Sequence, residues 1–161
     1  GPNLAFEVDL ALDQLGAGAG DLALTQGAAG GDLLFLEACL QRGVRPMLLL
    51  PYEEPKFIEE SVQTSQDGER WRERYFAVKS QLKDAPRIMP AELGPLPKGA
   101  SAYERCNLWL LYTALAWGVD KVRFVCLWNG GGGDGPGGTA HMYNEVKRRT
   151  GRVSWIDTRR L

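Results

Sequence analysis

The sequence has little of what most metal and redox sites are made from. Its 161 residues include one histidine and three cysteines, and the cysteines (Cys39, Cys106 and Cys126) stand far apart. Structural zinc sites need four such ligands, usually in closely spaced pairs, so the sequence predicts no metal site. An odd number of cysteines in apolar surroundings is typical of buried free thiols in a reducing compartment. We therefore expect a cytoplasmic protein whose cysteines pack in its core.

The sequence also lacks an excess of positive charge and any long apolar run. Its formal net charge is −1, whereas generic nucleic-acid binders carry surplus Lys and Arg to neutralise phosphates. No apolar run reaches the roughly 18 residues that span a bilayer, and there is no signal peptide. We expect neither a membrane nor nucleic acid as a partner. Gly1-Pro2 resembles the remnant of a cleaved tag, which predicts a piece of a larger protein with an upstream domain.

Hydrophobic residues make up 44% of the chain, which is enough for the core of one domain. We predict an N-terminal helix and turn over residues 3–20, followed by one domain over residues 21–161. Strands are predicted at residues 21–26, 44–51, 86–90, 121–128 and 152–157. Helices are predicted at residues 32–42, 55–83 with a break at 66–68, 101–117 and 138–149. This alternation predicts a Rossmann-like three-layer α/β fold, with a mostly parallel sheet and helices on both faces.

Local patterns refine two of these helices. Residues 101–104 read SAYE, a capping box in which a serine and a glutamate satisfy backbone N–H groups at the start of a helix. In the second half of the 55–83 helix, one face is apolar, and core packing fits that stripe better than the border of a ligand site. The residues of the stripe are Trp71, Tyr75, Val78 and Leu82.

Two glycine-rich segments each follow a predicted strand and precede a predicted helix. Residues 27–31 read GAAGG, and residues 130–138 contain seven glycines. In an open α/β sheet, such loops lie at the carboxyl ends of strands, where ligands bind. Glycine lets a ligand approach the backbone, and the free N–H groups at a helix N-terminus attract phosphate. The two loops therefore predict a phosphate-bearing ligand, although the P-loop and the Rossmann glycine fingerprint are both absent.

The ligand-binding residues predicted at the first loop are Thr25, Gly27, Ala28, Gly30, Gly31 and Asp32. Those predicted at the second are Gly135, Gly137, Gly138, Thr139 and His141. Asp32 is interpreted either as a helix N-cap or as a ligand of ribose hydroxyls. His141 is interpreted as a phosphate contact, an acid/base group or a solvated residue. Asn107 either points into the site or ties down a backbone group, and residues 51–55 form either a pocket rim or a surface turn.

These two segments resemble the glycine motifs of the SLOG superfamily, the Rossmann-like group that includes the DprA/Smf and LOG proteins. The family pattern of strand, glycine turn, G-x-D, helix and "strand-LP" corresponds to Thr25, Gly27, Ala28, Gly30, Asp32 and Pro51. The segment GPGGTA, residues 135–140, resembles the second, phosphate-facing motif. The likeness covers about residues 21–157. The chain also resembles the SLOG-type domains at the C-terminus of bacterial tetratricopeptide-repeat or cyclase-linked signalling proteins.

The resemblance implies a nucleotide-derived ligand, such as a nucleoside monophosphate, NAD or an ADP-ribose product, sensed in antiphage defence or stress signalling. The LOG branch hydrolyses nucleoside monophosphates and has a glutamate three residues after its motif threonine. Here Met142 holds that position and Glu145 comes later. The carboxylates that could serve an N-glycosidic hydrolysis are Asp32, Asp134, Glu145 and Glu104.

Three functions stay open from the sequence. The first is a nucleotide-binding sensor or effector domain, acting through an attached domain or through assembly as a homo-oligomer. The second is an N-glycosidic-bond hydrolase that acts on a nucleotide or on NAD. The third is a protein-interaction module without a small-molecule ligand.

Overall fold

The computed structural model describes residues 2–64, 66–128, 130–131 and 139–161, and it confirms the mixed α/β class. The α-helices in these ranges are α1 (Pro2–Leu15), α2 (Gly31–Gln41), α3 (Glu54–Phe57), α4 (Gly68–Lys79), α5 (Met89–Leu93), α6 (Ala102–Leu115) and α7 (Thr139–Thr150). The strands are β1 (Leu22–Thr25), β2 (Arg45–Leu50), β3 (Arg87–Ile88), β4 (Phe124–Trp128) and β5 (Val153–Asp157). A π-helical turn, Ile58–Val62, continues α3.

The described strands pair in parallel, as predicted, but they form two small sheets. One sheet has the order β1-β2-β3, with Leu24 opposite Met47 and Leu50 opposite Ile88. The other consists of β4 and β5, with Phe124 opposite Val153. The parallel pairing is thus confirmed, and the finer expectation of one three-layer Rossmann-like sheet stays a prediction.

Strand β2 is covered on both faces, as its run of three leucines predicts. Leu48, Leu49 and Leu50 are at most 1% exposed. Leu48 and Leu50 belong to a core cluster with residues of α2, the π-helical turn and α4. Leu49 belongs to another cluster, with Met89 and with Cys106 and Trp109 of α6. Alternate side chains of this strand therefore join two separate parts of the core.

A third core cluster connects the two sheets. It contains Val8 and Leu12 of α1, Ala23 of β1 and Ile156 of β5. Leu127 of β4 packs against this cluster, and it also lies against Gly31, where an added Cβ would be 3.4 Å from its Cδ1 atom. The start of α2 is consequently held beside β4.

Most element bounds agree with the predicted ones to within a few residues. Gly16 and Gly43 follow the ends of α1 and α2 with positive φ angles of 66° and 79°, as stop signals require. The predicted strand 121–128 begins only at Phe124, because Val119–Lys121 form a 3-10 turn. The interpretation of Asp32 as the N-cap of α2 is wrong, since Gly30 holds that position and Asp32 lies inside the first turn.

Several local predictions are confirmed. Ser101 caps α6 by accepting a hydrogen bond from the Glu104 N–H at 3.2 Å. Tyr75 and Val78 of the apolar stripe are buried in the core. The three cysteines are free and buried, and burial raises the pKa of each thiol to about 12. Among the described helices, none combines the length and the apolar character needed to cross a membrane.

Candidate ligand-binding site

The first glycine loop joins β1 to α2 and contains two residues in the left-handed region. Gly27 has a φ of +95° and Gly30 a φ of +88°, which strains any L side chain. A Cβ on Gly27 would face the core, 3.4 Å from Leu48 and 3.5 Å from Tyr75. A Cβ on Gly30 would meet no atom within 4 Å. Gly27 therefore serves the packing of the loop, whereas Gly30 presents its backbone to open space.

The Asp32 carboxylate is bound by the first loop itself. Its Oδ2 accepts the N–H of Ala28 at 3.2 Å, and the carboxylate also takes hydrogen bonds from the Thr25 hydroxyl and the Gly27 N–H. These amides, which the sequence suggested for a phosphate, already donate to the Asp32 carboxyl group. A phosphate would therefore find these donors occupied, whereas a hydroxyl group of a ligand could donate to a carboxyl oxygen. The first loop is therefore suited to a hydroxyl-bearing group.

Burial raises the pKa of Asp32, and the hydrogen bonds from Ala28, Thr25 and Gly27 oppose that rise without cancelling it. An acid whose pKa is higher in the folded chain stabilises the fold in its protonated form. That contribution is complete below the unfolded pKa of about 3.9 and is lost as the pH rises through the folded pKa.

We therefore expect the unfolding free energy of the wild type to fall, relative to Asp32→Asn, as the pH rises above about 4. Urea unfolding between acidic and neutral pH measures this difference. Glu53→Gln, at an exposed carboxylate outside the loop, is the matched control for the loss of one charge. A difference between wild type and Asp32→Asn that does not change with pH would contradict the raised pKa.

Helix α6 brings polar side chains to the same strand ends. Gln26, which follows β1 and is 8% exposed, donates from Nε2 to Oδ1 of Asn107 at 3.2 Å. The structure thus places the Asn107 side chain in contact with the Gln26 side chain, next to the first loop, and both interpretations of Asn107 stay predictions. Asn107 belongs to α6, and the Ser101 cap stabilises the start of this helix.

A group of three hydroxyls, here called the hydroxyl cluster, lies beside the loop and consists of Tyr52, Ser61 and Tyr103. The Tyr103 hydroxyl is 2.5 Å from that of Tyr52 and 2.7 Å from Ser61 Oγ. The Tyr52 hydroxyl also donates to Glu60 at 2.7 Å, and burial is the first cause of its raised pKa. The Ser61 carbonyl accepts the Ala29 N–H at 2.9 Å. The cluster is therefore hydrogen-bonded to the first glycine loop.

The sequence reasoning missed Tyr103 and Ser61 as site residues. Tyr103 precedes Asn107 by four residues on α6, so both lie on one face of the helix, and this spacing could have indicated the pair. Tyr52 stands in the run 51–55, just after β2. The structure places this tyrosine beside Tyr103, and the pocket-rim interpretation of the run stays a prediction.

Most of the second glycine loop, including Asp134, Gly135, Gly137 and Gly138, lies outside the described residues. Thr139 begins α7. His141, in the first turn of α7, has its Nε2 atom 3.7 Å from Glu104 Oε1 of α6. The Nδ1 atom of His141 is buried and has no hydrogen-bond partner in the part of the chain that the structure describes. The start of α7 is thus held next to the start of α6.

The structure also places two charged groups that bear on the candidate chemistry. Glu145 is paired with Arg148 at 2.7 Å and Arg149 at 3.4 Å, and these arginines lower its pKa. Arg159, which was not predicted, lies beside the entry to the second loop, because a Cβ on Gly130 would be 3.4 Å from its guanidinium. The guanidinium is itself paired with Asp157 at 2.7 Å.

The predicted residues do not line the open grooves found elsewhere. One groove of about 400 Å³ lies between α1 and β5, and another of about 450 Å³ lies between α2 and α4. Neither is lined by a residue predicted to bind ligand. The polar groups at the strand ends, here called the strand-end site, are Thr25, Gln26, Asp32, Asn107, His141 and the hydroxyl cluster.

Within the described residues, no three His, Cys, Asp or Glu side chains are grouped so that they could hold a metal ion. Comparisons of the chain with protein families, with curated proteins and with solved structures find no match.

Proposed function

We propose that the chain is a sensor or effector domain that binds a nucleotide-derived ligand, of the NAD, ADP-ribose or nucleoside-phosphate class, at the strand-end site. The observation that carries the proposal is the convergence of polar groups from distant parts of the sequence. Asp32 and the hydroxyl cluster are each hydrogen-bonded to the first glycine loop, and the hydrogen-bonded Gln26–Asn107 pair stands directly before that loop. Pockets for nucleotides combine such convergent polar groups with a close approach to the backbone.

The proposal includes a Rossmann-like arrangement in which the two sheets lie side by side in the order β3-β2-β1-β4-β5. It is supported by Leu127 of β4, which packs against the start of α2, and by the core cluster that joins β1 to β5. In this order β1, β2 and β3 follow one another toward one edge of the sheet, and β4 and β5 follow one another toward the opposite edge. The crevice between β1 and β4 is then the topological switch point, where ligands of open α/β sheets bind.

The two glycine loops have different roles in this proposal. The first loop already holds the Asp32 carboxylate, so it is suited to the hydroxyls of a ribose. The phosphate is assigned to the second loop and the N-terminus of α7, where Thr139 and His141 stand. Helix N-termini attract anions through their free N–H groups and the helix dipole.

Binding is favoured over hydrolysis by the state of two of the four candidate carboxylates, Glu145 and Asp32. A general acid near neutral pH needs a raised pKa and access to the substrate. Glu145 has a lowered pKa and two arginine partners. Asp32 has a raised pKa, but its carboxyl group is hydrogen-bonded to its own loop, which takes up the oxygen atoms that would face a substrate. We therefore assign Asp32 and Glu145 to structure and ligand contact. Ligand binding is proposed to act by changing an attached domain or the assembly of the protein.

A thermal-shift screen tests the proposal with AMP, NAD, ADP-ribose, cyclic ADP-ribose and cyclic dinucleotides. A ligand present at roughly 100 times its Kd should add about 2.7 kcal/mol of apparent stability. We expect one chemical class to raise the Tm of the wild type. Asn107→Leu should lose that rise, because it removes the amide group at the strand-end site.

The matched control is Asn144→Leu, the same substitution at an exposed position of α7, which should keep the ligand-induced rise. Each variant is compared with its own ligand-free Tm, so a difference in basal stability does not enter. Chromatography of the same samples detects any released base, which would favour the hydrolase. The absence of a shift with every compound would contradict the proposal and favour a protein-interaction module.

A further inference from the structure

Strand β5 is an edge strand of its two-stranded sheet. It pairs with β4 along its whole length, and in the described part of the chain the sheet has no third strand. Four consecutive residues of β5, 154–157, line the groove against α1. Because successive side chains point to opposite faces of a strand, a groove lined by consecutive residues runs along the backbone edge. This groove therefore exposes the edge of β5.

This edge has few of the features by which proteins protect a strand from pairing with another chain. Such features include proline, inward-pointing charges and very short length. Residues 153–156 read VSWI and carry no charge, and Trp155 is 43% exposed. The following Asp157 is neutralised by Arg159. By contrast, the strand at the far edge of the other sheet, β3, has only two residues.

The side of α1 next to this edge contributes Glu7, Leu10, Ala11 and Gln14 to the groove, a mixture of polar and apolar residues. Leu10, which lines the groove, is 38% exposed, and Phe6, one turn earlier, is 65% exposed. Asp9 and Asp13 are paired with Arg42 on the side of α2. The groove itself contains Glu7, Asp157 and Arg160, and the carboxylate of Asp157 is already compensated. Its charges therefore nearly balance, which favours a neutral strand as its occupant.

We propose that β5 pairs antiparallel with β5 of a second copy of this chain, with Trp155 on the two-fold axis. In this register Trp155 lies opposite Trp155 of the second copy, Ser154 lies opposite Ile156, and Val153 lies opposite Asp157. Self-complementary pairing of this kind is what a two-fold dimer requires.

The charged residues that flank the strand stay outside the proposed pairing. The pairing segment ends at the bounds of the strand, because α7 runs to Thr150 and Thr158–Arg160 form a 3-10 turn. Within Val153–Asp157 no two like charges stand opposite each other, and the six arginines and lysines from residue 147 to residue 160 all lie outside the strand.

Sedimentation equilibrium of the full chain at several concentrations tests the dimer. We expect a reversible change from the mass of one chain to the mass of two. Trp155→Lys should raise the Kd of the dimer at least about tenfold, because two charges would meet on the axis and the central aromatic contact is lost. Trp117→Lys is the matched control, since Trp117 is 53% exposed on another part of the surface, and it should leave the Kd unchanged.

Cysteine cross-linking tests the register separately. Antiparallel partners lie about 4.5–5.5 Å apart at Cα, a distance that a disulfide spans, so Trp155→Cys should give an oxidised dimer. Val153→Cys should not, because the two copies of residue 153 would be separated by four residues, or about 13 Å. Circular dichroism verifies that each variant is folded.

A wild-type chain that stays monomeric would overturn the proposal. Dimers that persist equally in Trp155→Lys and Trp117→Lys would also overturn it, because they would place the interface elsewhere. A stronger cross-link in the Val153→Cys variant than in the Trp155→Cys variant would overturn the register.

Discussion

Replacing Tyr75 by alanine should lower the free energy of unfolding by about 3–5 kcal/mol, the range found for large aromatic residues in cores. Tyr75 is fully buried, and its ring packs against Phe57 and Phe76 with centroid distances of 6.3 and 5.3 Å. The ring also supports the first glycine loop, because its Cε2 atom would lie 3.5 Å from a Cβ atom added to Gly27. Its removal leaves a cavity beneath that loop, so urea unfolding should show the loss and the ligand-induced shift should weaken.

Tyr75→Phe separates the ring from its hydroxyl. The variant keeps the ring and loses only the hydrogen bond from Tyr75 to Glu54 at 2.8 Å. Glu54 retains its contact with Lys79 at 2.6 Å, so the cost should be about 1 kcal/mol. The ligand-induced shift should persist in this variant. If Tyr75→Ala were no less stable than Tyr75→Phe, the ring would not be the support of the loop.

Replacing Gly68 by alanine should lower the free energy of unfolding by about 3 kcal/mol, near the upper end of the range for overpacking. Gly68 is the first residue of α4, and a Cβ there would lie 2.5 Å from the carbonyl oxygen of Gln63 and 2.9 Å from its carbonyl carbon. Both obstructing atoms belong to the backbone. No side-chain rotation can relieve the contact, so the start of α4 must move away from the π-helical turn.

Gly18→Ala is the matched control for Gly68→Ala. The nearest atom to a Cβ on Gly18 is the Arg42 carbonyl oxygen at 3.8 Å, an ordinary van der Waals distance, and Gly18 is absent from the residues of positive φ. Its unfolding free energy should stay within about 0.5 kcal/mol of the wild type. Equal unfolding midpoints in urea for the two variants would show that the region around Gly68 yields without cost.

Much of the secondary structure could be predicted because it depends on local patterns. The three leucines of β2, the capping box of α6 and the apolar stripe of α4 each specify an element or a face within a few residues. The error at Asp32 has a physical cause. The sequence shows that a carboxylate stands at a helix start, but Gly30 takes the N-cap position and the carboxylate instead turns back to Ala28.

The arrangement of the strand-end site could not be predicted in the same way, because it depends on contacts between distant residues. The Tyr52–Tyr103 pair spans 51 positions of the sequence and the Gln26–Asn107 pair spans 81. Hydrophobic periodicity assigns each residue to an element and a face, but it carries no information about which faces meet. Gly27 illustrates the limit at one position, since a glycine required for packing and a glycine required for ligand approach look alike in the sequence.

Ser61 joins two elements that the ligand would touch from different sides. Its backbone carbonyl holds the amide of Ala29, while its side-chain hydroxyl meets Tyr103 of α6. The loop and the helix are therefore both hydrogen-bonded to the same residue. Coupling of this kind is reciprocal. If a change in the position of α6 alters the affinity of the loop for a ligand, then binding of that ligand alters the positional equilibrium of α6 by the same free energy. A ligand bound at the first loop would therefore be coupled through Ser61 to the position of α6.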